Sequence, residues 1–470
     1  MDGLAALRSR LPEGVVSTHP GETQSRSRDW WPLAMLREAR GEIPTRPAAV
    51  VFPRTTEAVA EVLAWADETG TAVVPRGAGS GVCGGAQALR GAVVVDVSRM
   101  DRIISVDEES ACVEVQAGIR GTRLEEGLEP YGLTTGHYPQ SLAISSVGGW
   151  IAARSAGQAS AGYGVIEDLV LGLVVVLAGG EVVTLRSLPR SAAGPDLREL
   201  FLGSEGTLGI VTEATLVASR RPVGLRWLAF RPRGFDEAIV LAREVERSGA
   251  RLLVLRAYDD ADAAVTFGGL DHPGGPVMIV AAARDRWLDA TLEAVRDVAR
   301  ERGADPLPDE YGRHWWEHRF DAVRLYRRVM GEERLLGHGV VVDTMEVAGL
   351  WSRLGRLYAE VSGALSRHAE AVGCHLSHPY RSGASLYFTF LLRAPDDARA
   401  EEPYRACWTD AAAACHAAGG TVTHHHGVGI LKAPFLEEEL GTPGIGLLRR
   451  VKDALDPRGV LNPGKLLPPR

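Results

Sequence analysis

A β-branched run, Thr71-Ala72-Val73-Val74, leads directly into Pro75-Arg76-Gly77-Ala78-Gly79-Ser80-Gly81. No other stretch limits the fold as much. Glycines at 77, 79 and 81 permit positive φ and close approach, so successive N–H groups can turn toward one anion. A strand ending in such a loop reads as a diphosphate cradle. The spacing is neither that of a P-loop nor that of a dinucleotide-binding G-x-G-x-x-G turn. By itself the stretch also reads as an ordinary glycine-rich turn, and later segments favour the first reading.

Composition sets broad bounds. The 470 residues are 45% hydrophobic and 24% charged, enough for two or three domains with well-buried cores. The net charge of −8 and the lack of a basic cluster interleaved with aromatics argue against nucleic acid as a partner. Cys83, Cys112, Cys374, Cys407 and Cys415 are scattered and odd in number, which disfavours a disulfide framework or zinc knuckle and suits a reducing compartment. The N-terminus lacks the apolar core of a secretion signal, no apolar run reaches about 18 residues, and no peroxisomal tripeptide ends the chain. A cytoplasmic protein without an integral membrane segment is expected. A small-molecule substrate is expected, and a homodimer is compatible with the sequence.

Along the chain, Trp30-Trp31-Pro32 is expected to pack an N-terminal arm (1–45) onto the body. Ala49–Pro53 reads as a strand, and Thr55-Thr56-Glu57 caps a helix whose apolar stripe is Val59, Val62, Leu63 and Ala66. With Thr71–Val74 this makes a β-α-β unit. Strands follow at Gly91–Asp96 and Ala111–Gln116, then a helix at Gly121–Tyr131. The second informative segment runs from Gly136 to Trp150. It contains Pro139, Gln140, Ser141, Leu142, Ser145, Ser146 and Gly148-Gly149, ahead of a small-residue helix at Ile151–Ala156, and it offers N–H groups to a second anion or to the far side of the same one. A strand at Leu173–Leu177 turns at Gly179-Gly180 into another. The third segment, Phe201 to Glu213, sets Glu205 among three glycines before a strand.

A boundary is read near Arg220-Arg221-Pro222. It divides a cofactor domain (46–221) from a cap (222–395), followed by a C-terminal segment (396–470) that returns to the first domain. In the cap the pattern gives strands at 226–231, 250–258 and 276–282, helices at 235–248 and 286–302, a mostly helical stretch at 309–370, and extended chain at Cys374–Pro379 and Ala384–Leu392. Helices are expected at 399–418 and 446–455.

His424-His425-His426-Gly427-Val428-Gly429 is the most conspicuous chemical feature after the cradle. Adjacent loop residues alternate sides, so the three imidazoles do not readily share one metal ion and no metal site is expected. They suit general acid–base work or hydrogen bonding to an anion. Tyr387 lies in a strand, where a core role is the commoner one. Arg256 offers a fork for phosphate or carboxylate. Arg319, Arg324, Arg327 and Arg328 are placed on a helix that projects one or two guanidiniums inward, and His375 and His378 are read as structural.

Taken together, Gly136-His137-x-Pro139-x-Ser141-Leu142, Val147-Gly148-Gly149-Trp150, Tyr163-Gly164-x-Ile166-Glu167-Asp168-Leu169-Val170, Gly203-Ser204-Glu205-Gly206-Thr207-Leu208-Gly209 and the triple-histidine loop resemble the vanillyl-alcohol oxidase superfamily. Within it they are most similar to the alkylglycerone-phosphate synthase family. The resemblance implies an α+β, two-domain PCMH-type FAD-binding fold with an α/β substrate cap. It implies FAD contacts from Pro75, Arg76, Gly77, Ala78, Gly79, Ser80 and Gly81; from Pro139, Gln140, Ser141, Leu142, Ser145, Ser146 and Gly149; from Ala153, Arg154, Ser155 and Ala156; and from Glu205, Gly206, Gly209, Ile210 and Val211. It places Tyr387, His424, His425 and His426 at the reactive face of the flavin, Arg256 as an active-site arginine, and a substrate-phosphate arginine near Arg327. The cradle lacks the histidine that tethers FAD in many superfamily members, so noncovalent FAD is expected. The chemistry implied is that of flavin N5 on a small polar substrate, phosphorylated or carboxylated, with a redox-neutral exchange of acyl ester for alkyl ether. The alternative is an FAD-dependent 2-hydroxy-acid dehydrogenase or oxidase that transfers hydride to flavin. Such relatives carry a His-x-Gly-Asp-Gly-Asn strand where this chain has His378-Pro379-Tyr380-Arg381-Ser382-Gly383. A flavin-binding protein without catalysis is a third reading, disfavoured by the polar groups that converge on the cap side.

Overall fold

The computed structural model describes residues 3–42 and 45–468, and among these the strands form four sheets. In the first, Ala49–Val51 and Val73–Arg76 flank Val93–Asp96 in parallel, and Val16–Ser17 adds antiparallel at one edge. The crossover helix Thr56–Thr69 starts where the sequence places it. Thr55 is extended, its hydroxyl accepts the Ala58 N–H, and Val59, Val62, Leu63 and Ala66 are all fully buried. The strand predicted at Thr71–Val74 begins two residues later and continues through Pro75-Arg76. It lies at the end of the sheet order, where the missing proline donor is tolerated.

The second sheet is antiparallel, in the order Ile103–Asp107, Cys112–Gln116, Ile210–Val217, Val170–Val176, Val182–Leu185. Burial alternates along Ile210–Val217, the period-2 signature of a strand with one face on a core. That core holds Leu124 and Leu128 of helix Gly121–Leu128 together with Val147, Trp150 and Ile151. Here one expectation needs correction: the helix predicted at Ile151–Ala156 spans Val147–Ala153. Ser146 caps it through the Gly149 N–H, so Gly148-Gly149 form its first turn, and Arg154 at φ 50 ends it. A small sheet pairs Leu133–Thr134 with Ser219–Arg220.

The third large sheet is antiparallel throughout, in the order Asp305–Leu307, Leu225–Arg231, Val277–Ala283, Val254–Tyr258, Ala371–Ser377, Gly383–Arg393, Val340–Leu350. Residues of helices Phe235–Arg247, Leu288–Glu301, Leu354–Leu365 and Glu401–Ala417 join its core. The stretch read as mostly helical at 309–370 is corrected by its middle, Val340–Leu350, an eleven-residue edge strand. The β-branched Val340-Val341-Val342, Thr344 and Val347 fit a pleated surface better than a helix. The C-terminal helix begins at Leu436 rather than 446 and is broken at Gly441, whose φ of 69 is non-helical. Beyond it the chain returns to the first sheet, where Leu461 bridges Val73 in parallel. Among the described residues no helix is long and apolar enough to cross a membrane.

Candidate functional site

The glycine segments and the third large sheet enclose a cavity of about 960 Å³. Pro75–Gly81 forms one wall; Pro139, Gln140, Ser141, Ser145, Ser146, Gly149, Ala153, Ser155 and Ala156 form the next; Glu205, Gly206, Gly209, Ile210 and Val211 close that side. Arg256, Tyr387, His425 and His426 line the opposite side. Trp30, read as packing, lines it too and stacks on Tyr326 with ring centroids 6.1 Å apart.

The cradle is glycine-rich for steric reasons. A Cβ on Gly77 would lie 2.3 Å from Ser146 Oγ, the cap of helix Val147–Ala153. Gly79 has φ +69, and a Cβ there would lie 2.0 Å from the Arg76 guanidinium, which is folded back under the loop to donate to the Arg28 carbonyl at 2.8 Å. The residues thus present bare backbone to an extended anion, beside a long cavity able to take a ring system, and they fit a dinucleotide such as FAD. Gly77→Ala should displace the Ser146 cap and weaken FAD retention by about tenfold or more. The check is the flavin-to-protein absorbance ratio after gel filtration; full retention would show that the close approach is not needed.

Three residues assigned to cofactor or substrate lie off the cavity wall. Leu142 is buried in the second sheet's core, in reach of Gly121 and Trp150. The αL backbone of Arg154 turns its side chain outward to Glu199, Glu167 and the Leu202 carbonyl. Arg327 is exposed, with its guanidinium 5.8 Å from the Trp30 ring. Arg324 is 86% exposed, and Arg328 pairs with Glu333. The arginine that reaches the cavity is Arg319, in the link between helices Glu310–His318 and Asp321–Met330. It lies over Trp316 at 3.7 Å, its Nε is buried without a hydrogen-bond partner, and burial pulls its pKa down to about 10.

Strand register explains how the cap side of the site assembles. Tyr387 pairs across with Glu346 on one side and His375 on the other, and His375 pairs with Tyr258. Directly opposed residues point to the same face and alternate residues share it, so Arg256, Tyr258, His375, Tyr387, Thr344 and Glu346 share one face. The Tyr387 hydroxyl donates to Thr344 Oγ1 at 3.0 Å, and burial pushes its pKa up. His375 stacks on Tyr387 at 4.9 Å and hydrogen-bonds Asp262 at 2.7 Å.

The triple-histidine loop folds onto this face. His425 stacks on Tyr387 at 5.8 Å, and His426 meets it edge-on at 5.6 Å. His424 lies outside the cavity lining. Its Nε2 is 2.9 Å from Tyr380 Oη, its Nδ1 is 2.7 Å from His425 Nδ1, and its ring stacks on His378. Burial pulls His424 down to about 4 and holds His378 and His425 well below the ordinary range. These rings are neutral at pH 7 and available as acceptors or bases. The loop is fastened from both sides: Glu205 accepts the Val428 and Gly429 N–H groups at 2.8 Å, and Glu346 accepts the His426 N–H at 2.9 Å. Burial raises Glu205 to about 7 despite those N–H donors.

Beneath the loop is a buried ion pair that the sequence reading missed. Glu346 and Lys432 are both fully buried and in direct contact. Burial alone would raise the Glu346 pKa, but His426 and Lys432 hold it well below the carboxylate range, and Glu346 in turn holds Lys432 above its ordinary value despite burial. His426 Nδ1 lies 3.0 Å from Glu346 Oε2, off the line of a hydrogen bond.

His137 of the second segment lies behind the cavity wall. It is fully buried against Trp150, bonded to Ser155 Oγ at 2.8 Å, and lowered by burial to about 3. The folded pKa is below the unfolded one, so the unfolded chain binds more protons, and the stability this ring contributes is present above about pH 6.5 and lost as pH falls toward 3. From pH 6.5 downward it should remove about 1.4 kcal/mol per pH unit. Urea unfolding at pH 7, 6 and 5 should show that slope lessened by this amount in His137→Asn; an unchanged slope would contradict a neutral buried ring.

Among the described residues no cluster of three histidine, cysteine or acidic side chains is arranged to hold a metal ion. Among the described residues no carboxylate lies within ion-pair distance of Arg256, which is buried, donates to Tyr258 Oη at 3.2 Å and lies over Trp315.

This fold and cradle define a flavoprotein, and comparison with known proteins agrees. Residues 47–186 match the FAD binding domain model and residues 227–466 the FAD linked oxidases, C-terminal domain model. The chain belongs to the FAD-linked oxidase family, has the PCMH-type fold, and uses FAD as its cofactor. It is 30% identical to an alkyldihydroxyacetonephosphate synthase of Trypanosoma brucei brucei, over 94% of this chain and 76% of that protein. It is 31% identical to a mitochondrial D-lactate dehydrogenase (cytochrome) of Arabidopsis thaliana, over 90% and 74%. The fold superposes on a solved alkyldihydroxyacetonephosphate synthase with a TM-score of 0.79 at 22% identity, covering 98% of this chain and 84% of that one.

Proposed function

We propose that this FAD-dependent enzyme carries out alkylglycerone-phosphate-synthase-like chemistry on a small phosphorylated ketone ester. The observation that carries the reading is the histidine loop seated on Tyr387, facing two guanidiniums, Arg256 and Arg319, that no carboxylate neutralises among the described residues. Uncompensated arginines at a cavity wall fit a phosphate or carboxylate bidentately. Apolar residues also line the cavity, among them Val323, Val329, Val342 and Leu391, and they suit a hydrocarbon chain on the same substrate.

In this reading FAD, when bound, supplies an electrophilic and redox-active ring. Arg256 and Arg319 bind the anionic end of the substrate and fix its register. Tyr387 stays a phenol at neutral pH and moves a proton at its hydroxyl, while neutral His425 accepts or returns it. His426 is oriented by Glu346, which Lys432 holds ionised. The balanced exchange takes an acyl-dihydroxyacetone phosphate and a fatty alcohol to the alkyl ether and a free fatty acid. FAD is held without a covalent bond, by Pro75–Gly81 and the second and third segments.

The test is mass spectrometry of products from holoenzyme, palmitoyl-dihydroxyacetone phosphate and hexadecanol. The ether and palmitate should form in equal amounts, and absence of ether would reject the reading. The second reading, oxidation of a 2-hydroxy acid, is favoured by the likeness to the lactate dehydrogenase and by the same two arginines. It predicts dye reduction with D-lactate or glycolate.

A further inference from the structure

A second cavity, of about 410 Å³, is built from residues that the flavin site does not use. Trp316 lines it, and the guanidinium stacked on that ring is Arg319 of the main cavity. Its walls are aromatic: Tyr138 stands 6.2 Å from Trp316 in an edge-on arrangement, Trp227 stands 6.0 Å from it, and Tyr163 completes the side. Tyr163 is seated against Gly136, where a Cβ would lie 2.2 Å from its ring.

Four arginines also line this cavity, and they are not equivalent. Arg221 is held by Glu125 at 3.3 Å, and Arg313 by Asp309 at 2.9 Å. Arg226 lies in strand Leu225–Arg231 and Arg284 just past the end of its antiparallel neighbour Val277–Ala283, where its N–H donates to the Gly224 carbonyl at 2.9 Å. Among the described residues neither arginine has a carboxylate within ion-pair distance. Like charges drawn to one opening repel unless an anion is shared between them. A concave site with rigid aromatic walls and a few convergent polar groups is the usual form of a small-molecule site, and this volume is within the usual range.

We propose that this cavity binds a small planar aromatic anion. The ring would lie against Trp227, Trp316 and the tyrosines, where stacking and edge contacts are favourable. The phosphate or carboxylate would be shared by Arg226 and Arg284. A nucleoside monophosphate and an aromatic carboxylate both meet this description, and the test separates them.

The experiment is isothermal titration of FAD-saturated holoenzyme, so that the cradle is already filled, with AMP, 1-naphthoate, adenosine and inorganic phosphate. Saturable binding of AMP or 1-naphthoate at one per chain is expected, with adenosine and phosphate at least about tenfold weaker because each lacks one half of the recognition. AMP alone identifies a phosphate ligand, and 1-naphthoate alone a carboxylate. In Arg226→Ala/Arg284→Ala the affinity should fall about a hundredfold, tenfold per guanidinium. Both residues are exposed, so the variant should keep its fold, verified by unchanged flavin content. Failure of both aromatic anions to saturate, phosphate binding as tightly as AMP, or unchanged affinity in the variant would overturn the proposal.

Discussion

Tyr387→Phe is expected to lower kcat by about 10²–10⁴-fold, the range for loss of a positioned proton-transfer group, with flavin content unchanged. The ring remains, so its stacking against His375 and His425 survives. Only the hydroxyl's bond to Thr344 is lost, a net stability cost of about 1 kcal/mol. His425→Ala should also abolish turnover and keep FAD, since the loop's fastening runs through backbone N–H groups to Glu205 and Glu346. Steady-state kinetics beside the flavin absorbance ratio checks both. Loss of flavin, or an unaffected rate, would make these side chains structural.

Lys432→Met should destabilise the protein by about 3–5 kcal/mol, the cost of leaving a buried charge unpaired. Glu346 would remain fully buried, with no lysine or arginine within ion-pair distance among the described residues. It would then meet the penalty of burial either as an unpaired anion or by taking up a proton. Adding Glu346→Gln to Lys432→Met should restore part of the loss, because the uncompensated charge goes with it. Urea unfolding of the four proteins measures the cycle. Equal and additive losses would show that the two side chains contribute through packing alone.

The parts of this molecule most legible in its sequence are those fixed by short-range rules. Thr55 caps its helix because a hydroxyl three residues before a free N–H does so anywhere, and Gly179-Gly180 turns one strand into its antiparallel partner. The cradle was visible because only glycine fits at Gly77 and Gly79. The strand carrying Glu346 was not, since its short flanking helices, Asp321–Met330 and Leu354–Leu365, blur the change from period 3.6 to period 2. The signal that marks it is the β-branched run Val340-Val341-Val342 followed by Thr344 and Val347. The Glu346–Lys432 pair joins residues 86 apart in sequence, and nothing local links them. Arg319 replaced Arg327 at the cavity because a break between two helices reset the face on which each arginine lies. The Arg154 side chain turns away from the cavity, toward Glu199, through one αL residue that no pattern of side chains announces.

The measurement that tests the central claim most directly is an anaerobic absorbance trace of the FAD-loaded protein mixed with palmitoyl-dihydroxyacetone phosphate, followed by hexadecanol. The flavin band should fall on the first addition and return on the second without oxygen or dye, as a redox-neutral exchange at the Tyr387 and histidine face requires. A band that bleaches lastingly with D-lactate or glycolate, and does not respond to the phosphate ester, would contradict it and establish a hydroxy-acid dehydrogenase.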